Sequence, residues 1–136
     1  MASTLKLEIV TPEAKIYSED VDMVTLPGSE GEMGIYPNHV PLMTQLVSGE
    51  IIARKDGRDH FLAVGEGFVE ITGERVAIMT DMAIKAENID EIKAEEARQR
   101  AEARLAEKLD AEEAATVSAA LAHSLAQLKV KRRQRH

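Results

Sequence analysis

Cysteine and tryptophan are both missing from this sequence of 136 residues, and each absence closes a route. Without cysteine there is no disulfide framework, no thiol nucleophile and no thiolate-held zinc, which fits a reducing compartment. Aromatic residues are 3% of the chain, namely Tyr17, Tyr36, Phe61 and Phe68. A core must therefore be built from Val, Ile, Leu and Met, and no row of rings is available to stack single-stranded nucleic acid. No apolar run approaches the roughly 20 residues that cross a bilayer. Residues 1–6 lack the basic flank and apolar stretch of a secretory signal, so the chain is expected to stay where it is made, with no direct membrane insertion. Catalytic signatures are missing too. There is no G-x-S-x-G, no H-E-x-x-H and no helical pair of ligands among His39, His60, His123 and His136. The expectation is a protein that is not an enzyme and holds no metal.

The last absence is local. All 8 Gly and all 4 Pro lie between Pro12 and Gly73, and nothing after that point breaks a helix. The chain thus divides into a strand-and-turn module over residues 1–87 and a helical module over residues 88–136. The net charge of −7 divides unevenly as well, with 7 Lys and Arg against 15 Asp and Glu in residues 1–87 and 10 against 9 in the remainder. The basic excess gathers at Lys129, Lys131, Arg132, Arg133 and Arg135. Such a tail can meet nucleic acid, an acidic lipid surface or an acidic patch on a protein, or can simply oppose the C-terminal helix dipole.

In the first module Leu5, Leu7 and Ile9 alternate with Lys6 and Glu8, the period of a half-buried strand. Val21, Met23 and Thr25 are expected to share one face of a second strand that ends at Pro27-Gly28. Residues 51–54 and 61–64 flank Asp56-Gly57, a two-residue hairpin signal. Phe68, Val69 and Ile71 lead into Thr72-Gly73, and residues 76–79 leave it. Short strands at this spacing with no helix between them predict an antiparallel sandwich or barrel. Residues 26–51 set Gly28, Gly31, Gly34, Pro37 and Pro41 around Ile35, Tyr36, Val40, Leu42 and Met43, and read as a constrained functional loop with apolar anchors. It is not a phosphate loop, because no Gly-Lys-Ser/Thr follows. His39, beside prolines and near Glu30 and Glu32, reads as a structural or contact residue rather than a metal ligand.

In the second module Asn88, with Glu91 three residues on, is a candidate N-cap and capping box. Ala94, Ala97, Ala101, Leu105 and Leu109 form its stripe. Asp110 and Glu113 repeat the signal for a second helix with Val117, Leu121, Ser124, Leu125 and Leu128. The pattern predicts a helical hairpin turning near residues 109–112, with arms of about 20 residues spanning roughly 30 Å. The first stripe is mostly Ala, which buries little apolar surface when each CH₂ contributes about 0.8 kcal/mol. The arms should hold each other weakly and be able to repack elsewhere without unfolding.

The run GSEGEMGIYPNHVPLMTQLVSGEI, residues 28–51, resembles the signature of the epsilon subunit of bacterial and chloroplast F-type ATP synthase. LEIVTPEAKIYS resembles that family's first strand and turn, and GEGFVEITGERVAIMTDMA its last sandwich strands. IDEIKAEEARQRAEARL and LAHSLAQLKVKRR resemble its two C-terminal helices, so the likeness covers essentially the whole chain. It implies an α+β fold, an N-terminal antiparallel β-sandwich followed by a C-terminal two-helix antiparallel hairpin. It further implies a non-catalytic rotor subunit of the central stalk in a proton-translocating synthase, peripheral at the cytoplasmic face of the bacterial plasma membrane. The sandwich would attach to the gamma subunit and to the c-ring, with Glu32 and His39 facing the ring. The helices would alternate between a compact hairpin and an extended form that reaches the alpha and beta subunits and inhibits ATP hydrolysis. Arg98, Arg100, Arg104, Lys108 and the lysines and arginines of the tail are the candidates for the inhibitory contact with beta, and the partners implied are proteins, not nucleic acid.

Some members of that family bind ATP on the compact hairpin through an I/L-D-x-x-R-A pattern. Ile89, Asp90, Lys93 and Ala94 match it, with Lys93 where arginine is usual and Arg100 at a further basic position. His123 and Gln127 stand where strong binders carry arginines. A lysine is a point charge, not a planar fork for phosphate, so the resemblance implies no cofactor beyond weak ATP binding.

Overall fold

The computed structural model describes residues 4–134. These form ten strands, β1 (Leu5–Val10), β2 (Lys15–Val21), β3 (Met23–Gly28), β4 (Gly31–Ile35), β5 (Leu42–Leu46), β6 (Gly49–Lys55), β7 (Arg58–Val64), β8 (Gly67–Ile71), β9 (Arg75–Thr80) and β10 (Ala83–Lys85). A 3₁₀ turn, Ala86–Asn88, leads to helices α1 (Glu91–Leu105) and α2 (Ala111–Gln134). The strands run β10-β7-β6-β3-β5-β8-β9-β1-β2 in space, with β4 hydrogen-bonded to β3. Neighbours are antiparallel except β1 and β9, where Lys6 pairs with Arg75 and Ile9 with Ile78 in parallel. Between β3 and β5 the ladder narrows to the single pair Gly28 and Leu46. About that narrow link the two halves of the sheet close over each other as an antiparallel β-sandwich.

Alternation explains which side chains fill it. Leu5, Leu7 and Ile9 of β1, Val69 and Ile71 of β8, and Val76 and Ile78 of β9 point inward and meet Val24, Leu26, Ile51, Ala53, Leu62 and Val64 from the other half. Each large aliphatic side chain taken fully out of water contributes about 1.5–3 kcal/mol, so an all-aliphatic core suffices. Asp56 and Gly57 take φ of 53° and 77°, the left-handed pair that a two-residue hairpin needs, and they join β6 to β7 as the sequence predicts.

Four expectations need correction. Val21, Met23 and Thr25 do not share a face: the chain bends at Asp22, whose amide donates to the Arg54 carbonyl at 2.7 Å, and β3 then buries Val24 and Leu26. One residue of offset exchanges the faces of a strand. Residues 26–51 are not a loop but hold β4 and β5. Of their supposed apolar anchors Ile35 is buried, while Tyr36, Val40, Leu42 and Met43 are exposed. Gly28 is needed there because a Cβ would come within 2.9 Å of the Gly31 carbonyl across the turn. Asn88 does not cap α1; Asp90 does, its Oδ1 accepting from the Lys93 amide at 3.1 Å, because Asn88 is drawn into the 3₁₀ turn. Finally the arms are unequal, 15 and 24 residues, since α1 ends at Leu105 and Asp110 starts α2 by accepting from the Glu113 amide at 2.8 Å.

The hairpin docks along β6 and β7. Ala126 and Val130 of α2 meet Ala63, Ala86 and Ile89 in a small second cluster. Ala94 and Ala101 of α1, like Ser124 and Leu128 of α2, are buried where the helices meet, whereas Leu125, expected in the stripe, is 48% exposed. At 3.6 residues per turn Leu125 falls between the face toward α1 and the face toward the sandwich. Arg135, the last of the predicted basic tail, lies outside the described residues, as does His136.

Candidate functional site

Two surfaces stand out, and the first is the open face of β5, β8, β9 and β1. Because Val69, Ile71, Val76 and Ile78 face inward, the residues between them must face out. Register then sets Gln45 beside Phe68, Phe68 beside Met79, and Met79 beside Val10. Phe68 is 53% exposed and Met79 59% exposed. Next to this row runs Met43, Glu70, Ala77 and Glu8, with Glu8 held by Arg75 at 3.0 Å and Lys15 at 3.3 Å. A depression of about 440 Å³ at the end of the apolar row is floored by Val10, Pro12 and Met79 and rimmed by Glu66 and Asp81. A contiguous apolar strip with an acidic rim is the surface of a protein that binds another protein.

The second surface is the junction of α2 with the sandwich. Ser48 Oγ donates to the Val64 carbonyl at 3.2 Å and to the Ala122 carbonyl at 3.3 Å, joining strand end to helix. His123 Nε2 lies 3.3 Å from Asp81 Oδ1, directly over Gly65, where a Cβ would come within 2.0 Å of that oxygen. Lys131 Nζ donates to the Ala86 carbonyl at 3.1 Å. Arg133 Nε meets Glu50 Oε1 at 3.1 Å, and its guanidinium rests 5.9 Å from the Phe61 ring centre. Burial pushes the Glu50 carboxyl above its ordinary value; Arg133 and Lys129 pull it down and Glu32 adds to the rise. Elsewhere burial, with Glu19 and Glu87 adding to it, likewise raises the Tyr17 phenol, whose hydroxyl has no hydrogen-bond partner among the described residues.

The residues expected at functional contacts are dispersed. Glu32 is exposed on β4, paired with Pro27, while His39 follows β4 with Nδ1 at 2.6 Å from the Val40 carbonyl. The Asn38 amide donates to the Gly73 carbonyl at 2.7 Å, so His39 sits by the β8–β9 turn, at the other end of β5 from the Glu32 side. On α1, Arg98 is bound by Glu95 and Glu102 of its own helix, and Arg104 by Glu107 and Glu113. The hydrogen bond from Arg98 lowers the Glu95 carboxyl to about 2, and the guanidinium of Arg98 is raised in return. Arg100 and Lys108 are exposed and, among the described residues, make no ion pair.

In the nucleotide pattern Ile89 is buried, Asp90 is occupied as a cap, Ala94 is buried against α2, and Lys93 and Arg100 face solvent. His123 and Gln127 turn instead to the sandwich, toward Asp81 and the Met82 sulfur. Among the described residues no group of three or more His, Asp or Glu is placed to hold a metal ion. The exposed Phe68–Met79 row, the Glu50–Arg133 pair and the His123–Asp81 pair escaped sequence reasoning. Only the first left a trace there, since Phe68 is out of phase with Val69 and Ile71.

Fold and surfaces together define a sandwich-and-hairpin docking subunit. The chain belongs to the ATP synthase delta/epsilon family: the family's beta-sandwich domain matches residues 4–86 and its long alpha-helix domain residues 87–132. It is thereby a non-catalytic subunit of ATP synthase. The ATP synthase epsilon chain of Dehalococcoides mccartyi is 45% identical over 132 residues, which cover 96% of this chain and 94% of that one. The epsilon chain of Syntrophobacter fumaroxidans is 45% identical over 130 residues, covering 96% and 97%. The fold is also that of a chain in the cryo-EM structure of the Euglena gracilis mitochondrial ATP synthase, with a TM-score of 0.78 at 24% identity over 95% of this chain and 81% of that one. No helix of the described residues is long and apolar enough to cross a membrane.

Proposed function

We propose that this chain is a rotor subunit of the central stalk in a proton-translocating F-type ATP synthase, peripheral at the cytoplasmic face of a bacterial plasma membrane. Residues 1–87 attach to gamma and to the c-ring, and residues 88–136 regulate ATP hydrolysis by leaving the sandwich and extending toward alpha and beta. The observation that carries the attachment is the open face of β5, β8, β9 and β1, where Phe68 and Met79 stand half exposed in one row. That row needs a protein cover in the assembled state, because a rotor must transmit torque through a contact that excludes water. Glu32 and His39 lie toward opposite ends of β5 and so would meet two parts of the assembly rather than one.

The regulatory half draws support from the size of the junction under α2, where five buried side chains, Ala63, Ala86, Ile89, Ala126 and Val130, are ringed by the partly buried Phe61, Met82 and Ile84, a far smaller cluster than the sandwich core. Arg100 on α1 and Lys108 just beyond it are the cations best placed to reach an acidic partner, since Arg98 is already paired within its own helix and Arg104 with Glu107 of the connection and Glu113 of α2. ATP binding to the compact hairpin is weak in this reading, as His123 and Gln127 face away from Lys93 and Arg100. The test is co-purification of gamma with the full chain and with Met79→Glu, which puts a charge into the open row without touching the core. Gamma should be captured by the first and lost by the second while both keep the same circular dichroism. Equal capture by both would remove the open face as the attachment surface.

A further inference from the structure

Glu50 is a charge placed where the sheet has no use for one. It follows Gly49 at the start of β6, and alternation turns it away from Ile51 and the sandwich core, toward the overlying helix. Its side chain is 3% exposed, against 48% for its partner Arg133. Oε1 receives Arg133 Nε at 3.1 Å, but Oε2 is buried with no hydrogen-bond partner among the described residues. Among the described residues the other charged groups that act on it are Lys129 from α2 and Glu32 from β4. On β7 the residue alongside is Ala63, and on β3 it is Pro27 that packs at Gly49.

A carboxylate in that position has lost its water and recovered only half of its hydrogen bonding. Arg133 is too exposed to compensate fully, because a solvent-facing cation is screened. Burial therefore dominates and raises the carboxyl above its ordinary value despite both cations. Once α2 lifts away, Glu50 regains water and its ordinary acidity. A group that is a weaker acid when docked makes docking take up a proton.

We propose that Glu50 is a proton-operated latch beneath the second helix: docking of α2 on β6 and β7 draws a proton from solvent onto Oε2, so acidification holds the hairpin down and rising pH frees it. The sign follows from linkage. The contribution of Glu50 to docking is full below the ordinary carboxylate value and is lost as pH rises through the raised value of the docked state. The latch deepens the reading of the hairpin as a movable regulator and rests on it only for its purpose, because the docking equilibrium belongs to the chain alone.

The test uses the isolated full-length chain, with methyl resonances of Ala126 and Val130 reporting docked and free helix and the Glu50 carboxyl carbon reporting its charge. The docking constant should fall with rising pH by up to tenfold per pH unit across the Glu50 titration. Glu50→Gln should abolish that slope and stay docked at neutral pH. Because His123 faces Asp81 at the same junction, the series is repeated with His123→Asn, which should leave the slope in place. Arg133→Gln, at a half-exposed position, should move the Glu50 midpoint upward, so the claim can be judged even if Glu50→Gln fails to fold. Docking that strengthens as pH rises, a slope that survives Glu50→Gln, or a midpoint unmoved by Arg133→Gln overturns the latch. Normal titration in a chain that nevertheless fails to inhibit hydrolysis would sink the regulatory reading and leave the latch standing.

Discussion

Val130→Ala should loosen the hairpin by a calculable amount. Val130 is fully buried in a small patch whose other buried members are Ala63, Ala86, Ala126 and Ile89, with Phe61, Met82 and Ile84 packed partly buried around it. Replacing Val by Ala removes two methyl-sized groups, about 0.8 kcal/mol each, and a residual cavity brings the loss to about 2 kcal/mol. Of the polar ties nearby, Ser48 to the Ala122 carbonyl contributes about 0.5–1.5 kcal/mol and the charged Lys131 to the Ala86 carbonyl about 1.5–3 kcal/mol. A loss of about 2 kcal/mol lowers the docked population about thirtyfold relative to the free one. The helix itself survives, since alanine is the better helix former. Amide exchange over residues 122–131 should accelerate by about that factor, while the β1 and β8 amides of the sandwich keep their protection. In the reassembled catalytic complex the variant should hydrolyse ATP more slowly, because a helix released from the sandwich spends longer extended. Accelerated exchange with unchanged or faster hydrolysis would refute the brake, and unchanged exchange would refute the packing argument beneath it.

The cap assignment predicts that Asp90→Ala lowers the stability of α1 by about 1 kcal/mol while Asn88→Ala is close to neutral, measured by helix exchange or thermal melts of the full chain. Equal effects of the two would return the cap to Asn88. Glu95 should titrate near 2 in the folded chain, because the hydrogen bond from Arg98 holds its carboxylate charged. Its stabilising contribution is therefore present above the ordinary carboxylate value and lost only as pH falls through about 2. Arg98→Gln should return the Glu95 titration, followed by NMR, to the ordinary range, and a wild-type value already in that range would show the pair to be open in solution.

Much of the sandwich was legible because single residues decide it. Leu5, Leu7 and Ile9 alternate without exception, and Asp56-Gly57 admits hardly any other backbone than the turn it makes. Where reading failed, a local bond had displaced the pattern. The bend at Asp22, whose amide is held by Arg54, ends β2 at Val21 and starts β3 at Met23, so what reads as one strand is the junction of two and the faces exchange across it. In residues 26–51 the density of Gly and Pro disguised two strands, because Gly28 is required by a close approach inside a hairpin rather than by a loop.

The functional surfaces were harder to read for a physical reason that differs between them. On α2 a single stripe was sought, yet the helix is gripped on two sides, by α1 through Ser124 and Leu128 and by the sandwich through Ala126 and Val130. Two overlapping stripes blur the periodicity of either one, and the residue both leave out is Leu125. The charges mislead in another way, since a basic residue counts toward a partner only if the hairpin itself has not already claimed it. Arg98 and Arg104 are claimed, and Arg100, two positions along from Arg98, is not. Phe68 is the opposite case, because its signal was present and needed only to be taken literally. In a strand whose inward set is Val69 and Ile71, a phenylalanine one step out of phase must face away from the core. On the face that the hairpin leaves open, such a ring is the residue on which the proposed attachment to gamma turns.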